Sequence, residues 1–111
     1  MHLICAVLTR ILNCVLLLVV LPSIHLSGPN QPRNEGDSVN LTCNVTAGFP
    51  KPQLQWSKNG EVLEENSAVL VLREVTEKDE GKYSCKAINS GGSSVGEIIV
   101  NVQSKFIFLH N

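Results

Sequence analysis

Histidine is scarce in this 111-residue chain and badly placed for chemistry. Its three copies, His2, His25 and His110, fall outside the segments expected to build a core, so none is held in position as a general base. The serines sit in turns without a histidine partner, cysteine and histidine never combine at zinc spacing, and no glycine-rich phosphate cradle occurs. Aromatic residues make up only 5% of the chain and the net charge is −1. There is therefore neither a stacking platform nor a basic field for nucleic acid. Long apolar runs are missing from the body of the chain, and no segment repeats or carries a helical period. These gaps argue against an enzyme, a cofactor, a small-molecule substrate and a nucleic-acid partner.

What is present is alternation with period two. Val39, Leu41, Cys43 and Val45 share one face of a strand, while Asn40, Thr42 and Asn44 take the other. Leu54 and Trp56 point inward on the next strand, introduced by Pro52. Lys58-Asn59-Gly60-Glu61 is a tight hairpin turn, because Asn-Gly tolerates the positive φ angles of a two-residue type I′ loop. A short return strand carries Val62 and Leu63. Leu70 and Leu72 alternate with Val69, Val71 and Arg73 in a further strand, and Val75 closes that layer. Thr76 to Gly81 form a polar corner, followed by a strand with Tyr83, Cys85 and Ala87 facing in. Asn89 to Ser93 make a last hairpin loop before Ile98, Val100 and Val102. Upstream, Ile24 and Leu26 form an edge strand that Pro29 and Pro32 leave ragged. The length suffices for one domain with little left over.

The most specific signal is a constellation: two cysteines 42 positions apart, Cys43 and Cys85, with Trp56 between them and Tyr83 two residues before the second. In that order and spacing, within Asp79-Glu80-Gly81-Lys82-Tyr83-Ser84-Cys85, the chain resembles the immunoglobulin superfamily. Cys85-Lys86-Ala87-Ile88-Asn89-Ser90-Gly91 is similar to the C-x-A-x-N-x-x-G run of intermediate-set domains in adhesion, receptor and matrix proteins, and Pro50 to Trp56 is similar to their stretch before the tryptophan. The resemblance covers residues 22–103 and implies an all-β, two-sheet antiparallel sandwich of short I-set or C2 type. Only 13 residues separate Trp56 from Leu70, so little or no fourth strand fits between them. It implies further that Cys43 and Cys85 bridge the sheets, that Trp56 packs against the sulfurs, and that Tyr83 bends its hydroxyl back onto the corner. The family often gives the aspartate of that corner a basic partner; Asn66-Ser67-Ala68 supplies none, so Asp79 is expected to cap its own turn. The role implied is extracellular protein–protein recognition without catalysis, homophilic or heterophilic. The alternative is a structural spacer, or gene fragment, from a longer array of such domains.

The N-terminus fits export. Residues 1–21 carry Arg10 followed by the apolar run Ile11–Leu21, broken at Asn13 and ended by Pro22. The run suits the hydrophobic region of a secretory leader better than a span, which needs about 20 apolar residues. The cleavage site falls somewhere in 21–28, where no clean pair of small residues occurs. An uncleaved signal-anchor, with Arg10 on the cytoplasmic side, is the rival and the one route to a membrane association. Cys5 and Cys14 would leave with a cleaved leader, so one cysteine pair remains in the folded part. A persisting disulfide needs an oxidising compartment, secreted or cell-surface.

Asn40-Leu41-Thr42 and Asn44-Val45-Thr46 are acceptor triplets for N-linked glycan. Both asparagines fall on the outward face of one strand, about 13 Å apart at strand rise. Glycans there would shield that sheet, with Val69 and Val71, and leave the opposite sheet or the loops free. Phe49, in a loop between Gly48 and Pro50, either anchors a partner or folds over the end of the core, the ordinary fate. Ile88 and Ile99 face outward on adjacent strands, where they are expected to form a small contact patch. Glu35, Asp37, Glu77, Asp79 and Glu80 gather at one pole without calcium-loop spacing and read as a solvated acidic end. Lys105 to Asn111 form a C-terminal tail, from 104 on, whose four apolar residues are too few to cross a membrane.

Overall fold

A strand that alternates apolar and polar residues buries one face and wets the other, and the longer strands from Val20 onward, such as Val39–Phe49 and Gly81–Asn89, are of this kind. The structure is a computed structural model; it describes the backbone of residues 2–8 and 11–104 and the side chains of residues 18–104. The strands are β1 (His2–Leu8), β2 (Ile11–Leu17), β3 (Val20–Ser27), β4 (Arg33–Asn34), β5 (Val39–Phe49), β6 (Gln53–Lys58), β7 (Glu61–Val62), β8 (Val69–Leu72), β9 (Gly81–Asn89), β10 (Gly92–Val100) and β11 (Val102–Gln103). One 3-10 turn, Glu77–Asp79, precedes β9. Among the described residues no helix is long and apolar enough to cross a membrane. β1 and β2, within the stretch read as a leader, pair antiparallel with Cys5 opposite Cys14. Arg10 and the tail Lys105 to Asn111 lie outside the described residues.

Two antiparallel sheets carry the fold, β3-β5-β8 and β10-β9-β6-β7. Their facing sides close over Val39, Leu41, Cys43, Trp56, Leu70, Val75, Tyr83, Cys85 and Val100, all buried. This is the antiparallel sandwich expected from the sequence. Asn59 and Gly60 join β6 to β7 with φ angles of 50° and 88°, the positive values a type I′ loop requires. Ile24, Leu26, Leu54 and Leu63 pack half-buried against the core.

Two features differ from the sequence reading. The first strand does not stay on one sheet: β3 pairs with β5, then the Gly28–Pro32 segment crosses over, and β4 runs parallel to β11. Arg33 N–H donates to the Asn101 carbonyl and Glu35 N–H to that of Gln103, both at 2.9 Å, which splits the last strand into β10 and β11. Secondly, β10 begins at Gly92, six residues before the first apolar residue of that strand read from the sequence, Ile98, so the supposed loop shrinks to Ser90-Gly91. As the 13-residue spacing from Trp56 to Leu70 predicts, the chain between β7 and β8 forms an irregular segment and no strand. There the Glu65 carboxylate accepts from Asn66 N–H at 3.1 Å and Ser67 N–H at 3.0 Å, and the Ser67 hydroxyl donates to it at 2.7 Å. Those three bonds hold the Glu65 carboxyl below its ordinary value of 4.5, the Ser67 hydroxyl contributing most.

Candidate recognition surface

A buried, disulfide-bonded centre fixes both outer faces. Cys43 on β5 and Cys85 on β9 are disulfide-bonded, with Cα atoms 6.4 Å apart, and both are fully buried. Trp56 stands directly opposite Cys85 in the β6–β9 ladder. Its indole N–H donates to the Ser67 carbonyl at 2.8 Å, so the Glu65 turn supplies the partner that a buried tryptophan requires. Tyr83 is 1% exposed, and its hydroxyl donates to the Asp79 carbonyl at 2.6 Å. Burial, with the Asp79 charge nearby, pushes the Tyr83 phenol up to about 12.

The acidic pole is engaged by the backbone. Asp79 Oδ2 accepts from Thr76 N–H at 2.8 Å and so caps its own turn. Asp37 Oδ2 accepts from Asn34 N–H at 3.1 Å, and Glu80 Oε1 accepts from Val102 N–H at 2.8 Å. These carboxylates lock the corner where β4, β11 and the 3-10 turn meet. Lys82 N–H donates to Asn59 Oδ1 at 2.9 Å, tying the β6–β7 turn to the start of β9. That clasp leaves no room for a side chain at Gly81, where φ is +156° and a Cβ would lie 2.8 Å from Asn59 Nδ2.

The two outer faces differ in chemistry. On β3-β5-β8, Asn40 stands opposite Val71, and Thr42 opposite Val69, with both valines half exposed. Asn44 stands opposite His25 of β3. On β10-β9-β6-β7 the outward residues form cross-strand rows: Ser93–Ile88–Gln53, Val95–Lys86–Gln55, Glu97–Ser84–Ser57 and Ile99–Lys82. Ser57 and Ser84 share a hydroxyl–hydroxyl bond in the centre, and Lys82 Nζ pairs with Glu97 Oε2 at 2.8 Å. Such an exposed ion pair adds little stability, so its value lies in patterning the face. Val62 lies at the edge, opposite Ser57.

Two expectations need correction. Ile88 and Ile99 both face outward, but the register places them six rungs apart, about 20 Å at strand rise. They do not share a patch. Val95, 56% exposed, sits diagonally from Ile88 and makes the closer apolar neighbour, while Val62 is 63% exposed. Both valines were missed; carrying the alternation of Ile98 back through Gly96 and Ser94 would have placed Val95 outside. Phe49 ends β5 rather than lying in a loop, paired with Val20, and it is 56% exposed. It does not fold over the core, because β3 extends back to Val20 and Pro22 and Pro52 fill that position, both buried. Nearby, Asn89 Nδ2 donates to the Val20 carbonyl at 2.7 Å and to that of Pro50 at 3.1 Å, binding three segments into one pole.

The family model described as "Immunoglobulin domain" matches residues 22–89. The chain is 41% identical over 83 residues to vascular cell adhesion protein 1 of Homo sapiens, covering 70% of this chain and 11% of that protein. It is 36% identical over 86 residues to neural cell adhesion molecule 1 of Bos taurus, covering 68% of this chain and 10% of that protein. The chain thus spans about a tenth of the length of these relatives. A solved structure, "Structural basis for Dscam isoform specificity", is similar in fold, with a TM-score of 0.73 and 23% identity, covering 83% of this chain and 24% of that one.

Proposed function

The chain belongs to the immunoglobulin superfamily, and from that premise we propose that it is an extracellular, non-catalytic module for protein–protein recognition. The observation that carries this reading is the contrast between the two outer faces. The β3-β5-β8 face holds both glycan acceptors, Asn40 and Asn44; the β10-β9-β6-β7 face holds none and exposes Ile88, Val95, Ile99 and Val62 around a polar centre. A partner protein, either a second copy or a different chain, docks on the unshielded face. Its apolar residues supply the contact area, and Lys86, Lys82 and Glu97 set orientation. Adhesion-protein relatives support that role, as does the buried disulfide for an oxidising location.

The leader reading is sharpened by β3. A cut after Ser27 would strip the whole strand from the sheet, whereas a cut after Leu21 leaves the pairing from Ser23 onward intact. We therefore place cleavage at the early end of 21–28. The spacer reading draws its support from the chain spanning a tenth of its relatives. Export tests the location: the full chain, expressed from its own first residue in cultured secretory cells, should leave the cell with Cys43 and Cys85 resistant to alkylation before reduction. Beads carrying the exported chain test recognition, by clumping with one another or by capture on cell surfaces. Beads that do neither return the chain to the spacer reading.

A further inference from the structure

The ladder between β5 and β8 stops early. Its last register pair is Thr42 with Val69, followed by one bond from Cys43 N–H to the Ala68 carbonyl at 2.7 Å. From Asn44 to Phe49, β5 has β3 on one side and, among the described residues, no strand on the other. A groove of about 920 Å³ opens there, between the free edge of β5, the start of β6 and the Asn66–Ala68 turn. Val45, Phe49, Pro52 and Leu54 give it apolar walls, and Asn44 and Asn66 stand on its rim.

We infer that Asn44 carries an N-linked glycan whose first sugars seat in this groove and cover the edge that a further strand would otherwise close. The inference rests on the secretory reading above. Two observations select this occupant. Asn44 opens the acceptor triplet Asn44-Val45-Thr46, so the ligand is attached at the rim. The lining matches a sugar: the exposed ring of Phe49 suits its C–H face, and the exposed amide of Asn66 suits its hydroxyls. The tether also makes the contact intramolecular, so weak contacts suffice at the high effective concentration it creates. Asn40 lacks this setting, because β8 runs alongside it with Val71 directly opposite. A glycan there lies over the sheet.

The test uses the full chain exported from secretory cells, as wild type, Asn40→Gln, Asn44→Gln and Thr46→Ala. Intact mass before and after glycosidase treatment reports occupancy. Amide hydrogen exchange of peptides covering residues 44–54 and 64–69 reports the groove. The expected result is a glycan lost in both Asn44→Gln and Thr46→Ala, with amide exchange at the β5 edge about tenfold faster in these variants and in wild type stripped by glycosidase. Asn40→Gln leaves that exchange unchanged. Stripping the folded wild type keeps the test decisive if a variant fails to fold. Exported, disulfide-bonded protein without a glycan on Asn44 overturns the inference and leaves the recognition reading standing. A glycan on Asn44 that does not alter exchange also overturns it, as does protection of the groove that depends on protein concentration, which would assign the groove to a second copy. Retention in the cytosol with both thiols free removes the inference and the secretory reading together.

Discussion

Removing a single oxygen, by Tyr83→Phe, probes the corner that sets the entry of β9. The Tyr83 hydroxyl donates to the Asp79 carbonyl at 2.6 Å from a site 1% exposed. Its loss removes a buried hydrogen bond and leaves a carbonyl short of a donor, a cost of about 1–2 kcal/mol. For a domain of this size that lowers the melting temperature by roughly 4–8 °C for each kcal/mol. The pH dependence makes the prediction specific. The fold holds the Tyr83 phenol at about 12, against 10.0 in the ordinary state, by burying it beside the Asp79 charge. The unfolded chain therefore releases that proton first. The stabilisation from the neutral hydroxyl is fully present below pH 10.0 and is lost as the pH rises through the folded value near 12. Urea unfolding followed by fluorescence of Trp56, the only tryptophan, reads the stability gap between wild type and variant at each pH. The gap should be constant from neutral pH to about 10 and close as the pH approaches 12. A gap that stays constant across this range, or a variant as stable as wild type at neutral pH, refutes the reasoning.

Replacing both Cys43 and Cys85 with alanine opens a covalent loop of sequence separation 42. It should cost about 4 kcal/mol by the chain-entropy relation, seen as a fall in the urea midpoint. Gly81→Ala puts a Cβ 2.8 Å from the Asn59 amide at a φ of +156°. It should destabilise by about 1–3 kcal/mol, and Asn59→Ala in the same chain should recover part of that loss, since the two sites touch. Strictly additive costs in the double variant would show that the clasp is not the cause. Val95→Asp and Ile99→Asp alter residues 56% and 63% exposed, so thermal unfolding should shift by less than about 0.5 kcal/mol. A larger loss would mean that these side chains serve the fold and not a partner.

The inner side of the sandwich was legible because its signals are local. Val39, Leu41 and Cys43 alternate strictly along one strand, Asn59-Gly60 names its own turn type, and Tyr83 two residues before Cys85 marks the corner. What escaped reading depends on partners far apart in sequence. The crossing of the first strand is written in bonds from Arg33 and Glu35 to Asn101 and Gln103, which no short window contains. Val95 was hidden because Gly91-Gly92-Ser93-Ser94 has turn composition, yet it pairs as a strand once β9 offers it a ladder. The distance between Ile88 and Ile99 is a matter of register, which alternation alone leaves open. Phe49 is exposed because β3 reaches back to Val20, a tertiary choice. The groove beside Asn44 follows from the Glu65 turn, whose three bonds replace a strand with a cap for Trp56.

The central claim is that a protein partner engages the face built from β10, β9, β6 and β7. The most direct measurement compares beads bearing the exported chain in three forms: wild type, Val95→Asp with Ile99→Asp on that face, and Val71→Asp on the opposite sheet. Wild-type and Val71→Asp beads should clump or bind cells alike, and the double variant should do neither while unfolding at the wild-type temperature. Undiminished binding by the double variant, or loss of binding in Val71→Asp alone, would contradict the claim.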